Sequence, residues 1–128
     1  MIALLDTHVL LWWLADDRRL GAGARALVAG PDNAVYVSAA SVWEIGIKRA
    51  LGKLDAPDDL IDAVERSGFD PLPIGLAHAE LAGALPRHHD DPFDRMLVAQ
   101  AMAEGATLVT ADARLAAYAV PTTWAGHD

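Results

Sequence analysis

The sequence predicts an α/β domain, three layers deep, with a central, mainly parallel sheet flanked by helices. Three observations carry this. Short apolar runs alternate with helical segments from one end of the chain to the other. The clear strands, 2–5, 34–37 and 107–110, are short and apolar, as strands covered on both faces are. The length of 128 residues, 53% of them apolar, fits one domain over residues 1–128, with no linker, repeat or low-complexity stretch.

Each element has a local cause. Ile2 to Leu5 is an apolar run that stops at the polar turn Asp6–Thr7, either of which can cap the helix that follows to about Ala15. That helix is apolar nearly all round, so it is expected to be buried on several sides or to face a partner. After the charged turn Asp16 to Arg19, a second helix is expected over Leu20 to Ala29, closed by Gly30–Pro31. Ala34 to Val37 is β-branched and aromatic, a strand. Ser38 opens a long helix to about Leu51, stopped by Gly52.

Pro57 predicts the start of a further helix to about Ser67, with Leu60, Ile61 and Val64 on one face. Phe69 to Ile74 contains two prolines and is at best an edge strand. Leu76 to Leu85 is helical up to Pro86. Asp91–Pro92 supplies a cap and a first helical position for a helix to Glu104, ended by Gly105. Thr107 to Thr110 is a strand, Asp112 starts a short helix to about Tyr118, and Val120 to Trp124 is a last edge strand.

Composition excludes several classes. With 18 acidic against 10 basic residues the formal charge is −8, so binding nucleic acid through bulk positive charge is ruled out. There is no cysteine, hence no disulfide, thiolate nucleophile or Cys-based zinc site. The chain opens Met1-Ile2-Ala3-Leu4-Leu5-Asp6 without a basic signal-peptide region, and no run reaches the roughly 18 apolar residues of a membrane span. A cytoplasmic protein without a membrane partner is expected.

Four acids share one address. Ligands of open parallel sheets bind outside the carboxyl ends of the strands. Asp6 follows the first strand and Asp112 lies two residues past the late one. Glu44 is in the second turn of the helix after 34–37, and Asp94 is in the first turn of the helix that feeds the late strand. Each also has an ordinary reading. Asp6 and Asp112 fit helix N-caps, Ser41 to Glu44 matches a capping box one turn late, and Asp94 suits a helix dipole. Together, four acids at one edge repel unless something neutralises them, and a hard divalent cation with oxygen ligands does so. Such ions activate water and stabilise the leaving oxygen in phosphodiester cleavage.

These residues resemble a family. Leu5-Asp6-Thr7-His8, Ser41-Val42-Trp43-Glu44-Ile45 with Lys48, Gly52-Lys53-Leu54, the run from His89 to Ala101 containing Asp90-Asp91-Pro92-Phe93-Asp94-Arg95, and Val109-Thr110-Ala111-Asp112 resemble the PIN-domain ribonucleases. Within these they are similar to the VapC-type toxins of toxin–antitoxin pairs. The pieces keep the family's order over nearly the whole chain.

The resemblance implies a PIN-like fold and endoribonuclease activity dependent on Mg²⁺ or Mn²⁺. It implies a cognate antitoxin that blocks the acidic site, and a homodimer. It puts the family's acids on Asp6, Glu44, Asp94 and Asp112. Asp6 and Asp94 would be the core metal ligands, with Glu44 and Asp112 completing or orienting the shell. Asp91 rivals Asp94 but reads as the helix cap, because Pro92 follows it.

Thr7, Lys48, Arg95 and Thr110 are the candidate substrate contacts, and Lys48, Arg49, Lys53, Arg87 and Arg95 a candidate cationic rim for the RNA backbone. None of the five histidines shows metal-ligand spacing; His89 is the one expected nearest the site. Each of the four tryptophans is by itself a core residue. Trp12 and Trp13 nevertheless point about 100° apart, so one of them is expected at an interface.

Other classes fit less well. A phosphoacceptor receiver-like domain needs an acid pair after the first strand, an Asp after a middle strand and a late Lys. This chain offers Asp6 alone, Ser38, and Thr110-Ala111-Asp112. A haloacid-dehalogenase-type phosphatase wants Asp-x-Asp where Asp6-Thr7-His8 stands. A catalytically inactive PIN-like binding module is the third alternative; the presence of all four acids speaks against it.

Overall fold

The computed structural model describes residues 1–127. Strands β1 (Ile2–Leu5), β2 (Ala34–Ser38), β3 (Asp70–Leu72), β4 (Thr107–Thr110) and β5 (Thr122–Trp124) form one sheet in the order β3-β2-β1-β4-β5. Every neighbouring pair is parallel, so the sheet expected to be mainly parallel is wholly so. Six α-helices accompany it: α1 (Thr7–Leu14), α2 (Ala22–Ala29), α3 (Ala39–Ala50), α4 (Leu60–Arg66), α5 (Leu76–Ala84) and α6 (Pro92–Glu104). A 3-10 helix, Ala113–Ala117, precedes β5.

Alternation along β1 divides the interior in two. Ala3 and Leu5 join Val9, Leu10, Val28, Ile45 and Val64 on one face, under α1 to α4. Leu4 joins Leu97, Val98, Leu108 and Leu115 on the other, under α5, α6 and the 3-10 helix. This gives the expected three layers. The two proline-bearing or short strands, β3 and β5, are the edges, where a missing N–H does least harm.

Register fixes the functional edge. Leu5 pairs with Val37 on one side and with Val109 on the other. Asp6, Ser38 and Thr110 therefore leave the sheet side by side. Gln100, fully buried on α6, ties this edge to the second face. Its Oε1 accepts from the Ser38 hydroxyl at 2.5 Å, and its Nε2 donates to the Pro73 carbonyl at 3.2 Å.

Several boundaries differ from expectation for stated reasons. Helix α2 begins at Ala22, because Leu20 is buried in the core and the Gly21 N–H is taken by the Ala125 carbonyl at 2.8 Å. Ser38 caps α3 by accepting from the Ala40 N–H, so the Ser41–Glu44 pattern is not the cap. Pro57 does not open α4. Its carbonyl accepts from Arg49 at 3.1 Å, which holds this stretch to the end of α3, and the helix starts at Leu60. Ile61 points outward, 58% exposed, while Val64 packs inside. Trp43 and Trp124, expected in the core, are 64% and 48% exposed; Trp12 and Trp13 are half-buried.

Among the described residues, no helix is long and apolar enough to cross a membrane.

Gly21 tests how the C-terminal strap is held. A Cβ there would stand 2.2 Å from the Gly126 carbonyl oxygen, a backbone atom that cannot swing away. Gly21→Ala is expected to lose about 1–3 kcal/mol of stability in denaturant melts. An unchanged midpoint would show that the strap is not fixed to the start of α2.

Candidate metal and phosphodiester site

Asp6 is the N-cap of α1. Its Oδ1 accepts the Val9 N–H at 2.9 Å, and its Oδ2 accepts the Thr110 hydroxyl proton in a short hydrogen bond. The carboxyl is buried, and burial raises its pKa in spite of these bonds. Thr110 in turn accepts the Asp112 N–H at 3.0 Å. One hydroxyl thus couples the acids after β1 and β4.

Glu44 is brought to the same edge by α3, and it is buried too. The Thr7 hydroxyl lies 2.6 Å from its Oε1 and 3.0 Å from the Ser41 hydroxyl. Lys48, one turn later, reaches its Oε2 at 2.5 Å. The bond to Glu44 raises the Lys48 pKa, so this cation stays charged.

Asp94 is the most perturbed group. Its pKa is pushed up to about 7, chiefly by burial and then by the charges of Asp91, Asp6 and Glu44; His89 opposes the shift. Asp91, Asp6 and Glu44 thus stand close enough to Asp94 to act on it. Asp91 does act as the α6 cap. Its Oδ1 accepts the N–H groups of Phe93 and Asp94 at 2.8 and 3.0 Å, with Pro92 first in the helix.

His89 joins the last two acids. The Asp91 N–H donates to its Nδ1 at 3.0 Å, which leaves the ring proton on Nε2. Nε2 then faces Asp94 Oδ2 at 3.2 Å and Asp112 Oδ2 at 3.0 Å. Arg114 closes the far side of Asp112 with two bonds of 3.0 and 2.8 Å. Arg114 is the main cause of the low Asp112 pKa. Asp112 also caps the 3-10 helix through the Arg114 N–H.

All four acids singled out in the sequence thus meet at one edge. The substrate contacts fare differently. Thr7 and Thr110 are buried, and their hydroxyls serve Glu44 and Asp6 instead of pointing outward. Lys48 is half-buried on Glu44.

Arg95 is turned away from the expected rim. Its guanidinium donates to the backbone carbonyls of Ala82, Leu85, Pro86 and His89, holding the end of α5 and the loop that carries His89. Arg49 is paired with Asp58, while Lys53 and Arg87 are exposed. Sequence reasoning gave no role to Arg114, and it read Ser41 only in a capping-box pattern and in the family resemblance. It also gave His89 no carboxylate partners, because Asp112 lies 23 residues away and no local spacing encodes that contact.

The donors suit a hard divalent ion. Four carboxylates supply the oxygen ligands that such an ion takes. His89, Asp94 and Asp112 place one ligand atom each within 4.8 Å of one another. With its proton on Nε2, His89 bridges the two carboxylates as a donor. It orients them more readily than it coordinates.

A family model described as the PIN domain matches residues 3–121. Ribonuclease VapC22 of Mycobacterium tuberculosis is 33% identical over 131 residues, covering 94% of this chain and 97% of that protein. The structure of VapBC2 from Rickettsia felis, bound to a DNA fragment from their promoter, superposes with a TM-score of 0.71 at 17% identity, covering 96% of this chain and 98% of that one. FitAcB from Neisseria gonorrhoeae gives a TM-score of 0.63 at 19% identity, covering 97% of each chain.

The raised acids have a measurable consequence without metal. The folded protein holds a proton on Asp94 up to about pH 7, whereas an unfolded Asp releases it near 3.8. Stability of the metal-free protein should therefore fall as pH rises between these values, and Asp6 acts in the same direction. Asp112, whose pKa is lowered, acts oppositely and only at lower pH. Urea melts in EDTA at about pH 5 and about pH 7.5 are expected to give the lower midpoint at the higher pH. The reverse order would mean that burial and neighbouring charge do not raise these carboxyl groups in the fold.

Proposed function

The chain belongs to the PIN-domain family, and on that premise we propose that it is a metal-dependent endoribonuclease, the toxin of a toxin–antitoxin pair. The observation that carries the reading is the convergence of Asp6, Glu44, Asp94 and Asp112 at the carboxyl edge, with Asp94 pushed up to about 7 by burial and then by neighbouring carboxylates. Sequence relatedness over nearly the full length to a ribonuclease supports it.

Asp6 and Asp94 would hold a Mg²⁺ or Mn²⁺ ion, with Glu44 and Asp112 completing or orienting the shell. When bound, the ion lowers the pKa of water and polarises the scissile phosphate. The protein's own groups do the positioning. Thr110 fixes one Asp6 oxygen and Val9 N–H the other. Thr7 and Lys48 fix the two oxygens of Glu44. His89 spaces Asp94 from Asp112, and Arg114 braces Asp112 from outside.

The partners follow from the same reading. RNA is the substrate, in the cytoplasm. A cognate antitoxin protein covers the acidic edge. A structural neighbour from Klebsiella pneumoniae is a toxin–antitoxin complex. The protein forms a homodimer.

Three measurements test these statements. Purified protein is expected to cleave RNA in Mg²⁺ or Mn²⁺ and to stop in EDTA, with Asp6→Asn and Asp94→Asn each slower by about a hundredfold or more. Metal at about a hundred times its Kd should also add about 2.7 kcal/mol of stability. Cleavage persisting in EDTA or in both variants would overturn the metal mechanism. Light scattering should return twice the 13.6 kDa chain mass at micromolar concentration; a stable monomer would remove the dimer.

A further inference from the structure

Beside Asp6 and Asp112 a cavity of about 370 Å³ opens, walled by His8, Trp12 and Trp124. His8 and Trp12 stand four residues apart on α1 and share a helix face. Trp124 ends β5, in register with Thr110, the residue that holds Asp6. The carboxylates and the indoles are thus parts of one surface.

Trp124 is exposed but not loose. Its Nε1 donates to the His127 carbonyl at 3.1 Å. Gly126 lies so close beneath the ring that a Cβ there would meet indole atoms at 3.0 to 3.3 Å. The strap that carries these contacts is tied down where the Gly21 N–H donates to the Ala125 carbonyl. A ring already fixed in this way loses little freedom when a flat partner stacks on it. Across the cavity, the Arg19 guanidinium sits 5.3 Å from the Trp12 ring centroid, so that indole also has a settled neighbour.

We propose that this cavity receives one unpaired base of the RNA strand, stacked on Trp124, next to the phosphate that reaches the carboxylates. The proposal rests on the ribonuclease reading above. The chemistry of the walls selects the occupant. The indole walls offer no cation to hold a phosphate inside the cavity, while aromatic faces attract the flat side of any base. The volume lies within the range of small-ligand pockets, which begins at about 300 Å³. A chain of net charge −8 gains little from releasing counterions, so stacking is a substitute source of affinity. The base must be unpaired, since a base inside a duplex has no free face.

The test uses RNAs of about five nucleotides, within the strand length one such groove spans. Trp124→Ala is expected to raise KM about tenfold with kcat nearly unchanged, and Trp124→Phe to restore most of it. Removing the base at one position of the RNA should raise KM similarly for the wild type and add nothing for Trp124→Ala. If Trp124→Ala fails to fold, the Phe variant and the abasic RNA decide. Binding is read separately by tryptophan fluorescence of the slow-cleaving Asp94→Asn protein. The same RNA should quench it saturably, and the quench should shrink in Asp94→Asn/Trp124→Phe.

Cleavage by the wild type with no change of KM in Trp124→Ala, or no quenching, overturns the base pocket and leaves the ribonuclease reading standing. Quenching without any cleavage by the wild type keeps the pocket and removes the ribonuclease reading. Quenching by a lysine- and arginine-rich peptide, with none by RNA, assigns the cavity to a protein partner and overturns the proposal.

Discussion

Like charges held together out of water are the constraint around which this molecule is built. Asp6 and Glu44 are buried, and Asp94 and Asp112 are mostly so. A lone buried carboxylate costs several kcal/mol, and a neighbouring one makes matters worse. The fold answers with local partners for single oxygens. N–H groups at helix starts, two threonine hydroxyls, one lysine, one histidine and one arginine each hold a carboxylate. Among the described residues, every fully buried side-chain nitrogen and oxygen has a hydrogen-bond partner. What these partners leave is Asp94, whose carboxyl is costly to ionise beside Asp91, Asp6 and Glu44 and would be relieved by a divalent cation.

The sheet makes that concentration possible. Strand β1 sits in the middle, between β2 and β4, with all strands parallel and in register at their carboxyl ends. Helices must start where these strands stop, so helix N-termini gather at the same edge and favour acids there. Gln100 and Arg95 then lock the second layer to this edge. One bonds Ser38 and Pro73, and the other gathers four carbonyls around the loop that bears His89. Arg95 thereby serves the site as a brace for the loop.

The acidity of the chain takes on a different meaning in this light. A net charge of −8 argues against loose, salt-driven association with nucleic acid. It does not argue against a nuclease whose excess charge is gathered in one cluster and whose remaining affinity comes from aromatic surface. The exposed indoles of Trp43 and Trp124 lie on this molecule as contact surface, not as core. Trp43 meets Phe93 edge to face at 5.2 Å, beside the start of the helix that carries Asp94.

The sequence by itself determined the layer architecture, the order of the elements and the four acids. These depend on local patterns: apolar runs of strand length, proline and glycine at element ends, and acids placed just after strands. Asp91 as the cap of α6 and the edge position of the proline-bearing strand were legible for the same reason. Only the tertiary structure decided which partner each acid takes. The contacts of His89 with Asp112 and of Thr110 with Asp6 span 23 and 104 residues, and no periodicity records them. It also decided that Arg95 faces inward, that Pro57 is tied to α3 before α4 begins, and that Trp124 lies pinned beside the acids. Side-chain direction at a helix start or strand end follows from what packs against it, and that is fixed only once distant segments meet.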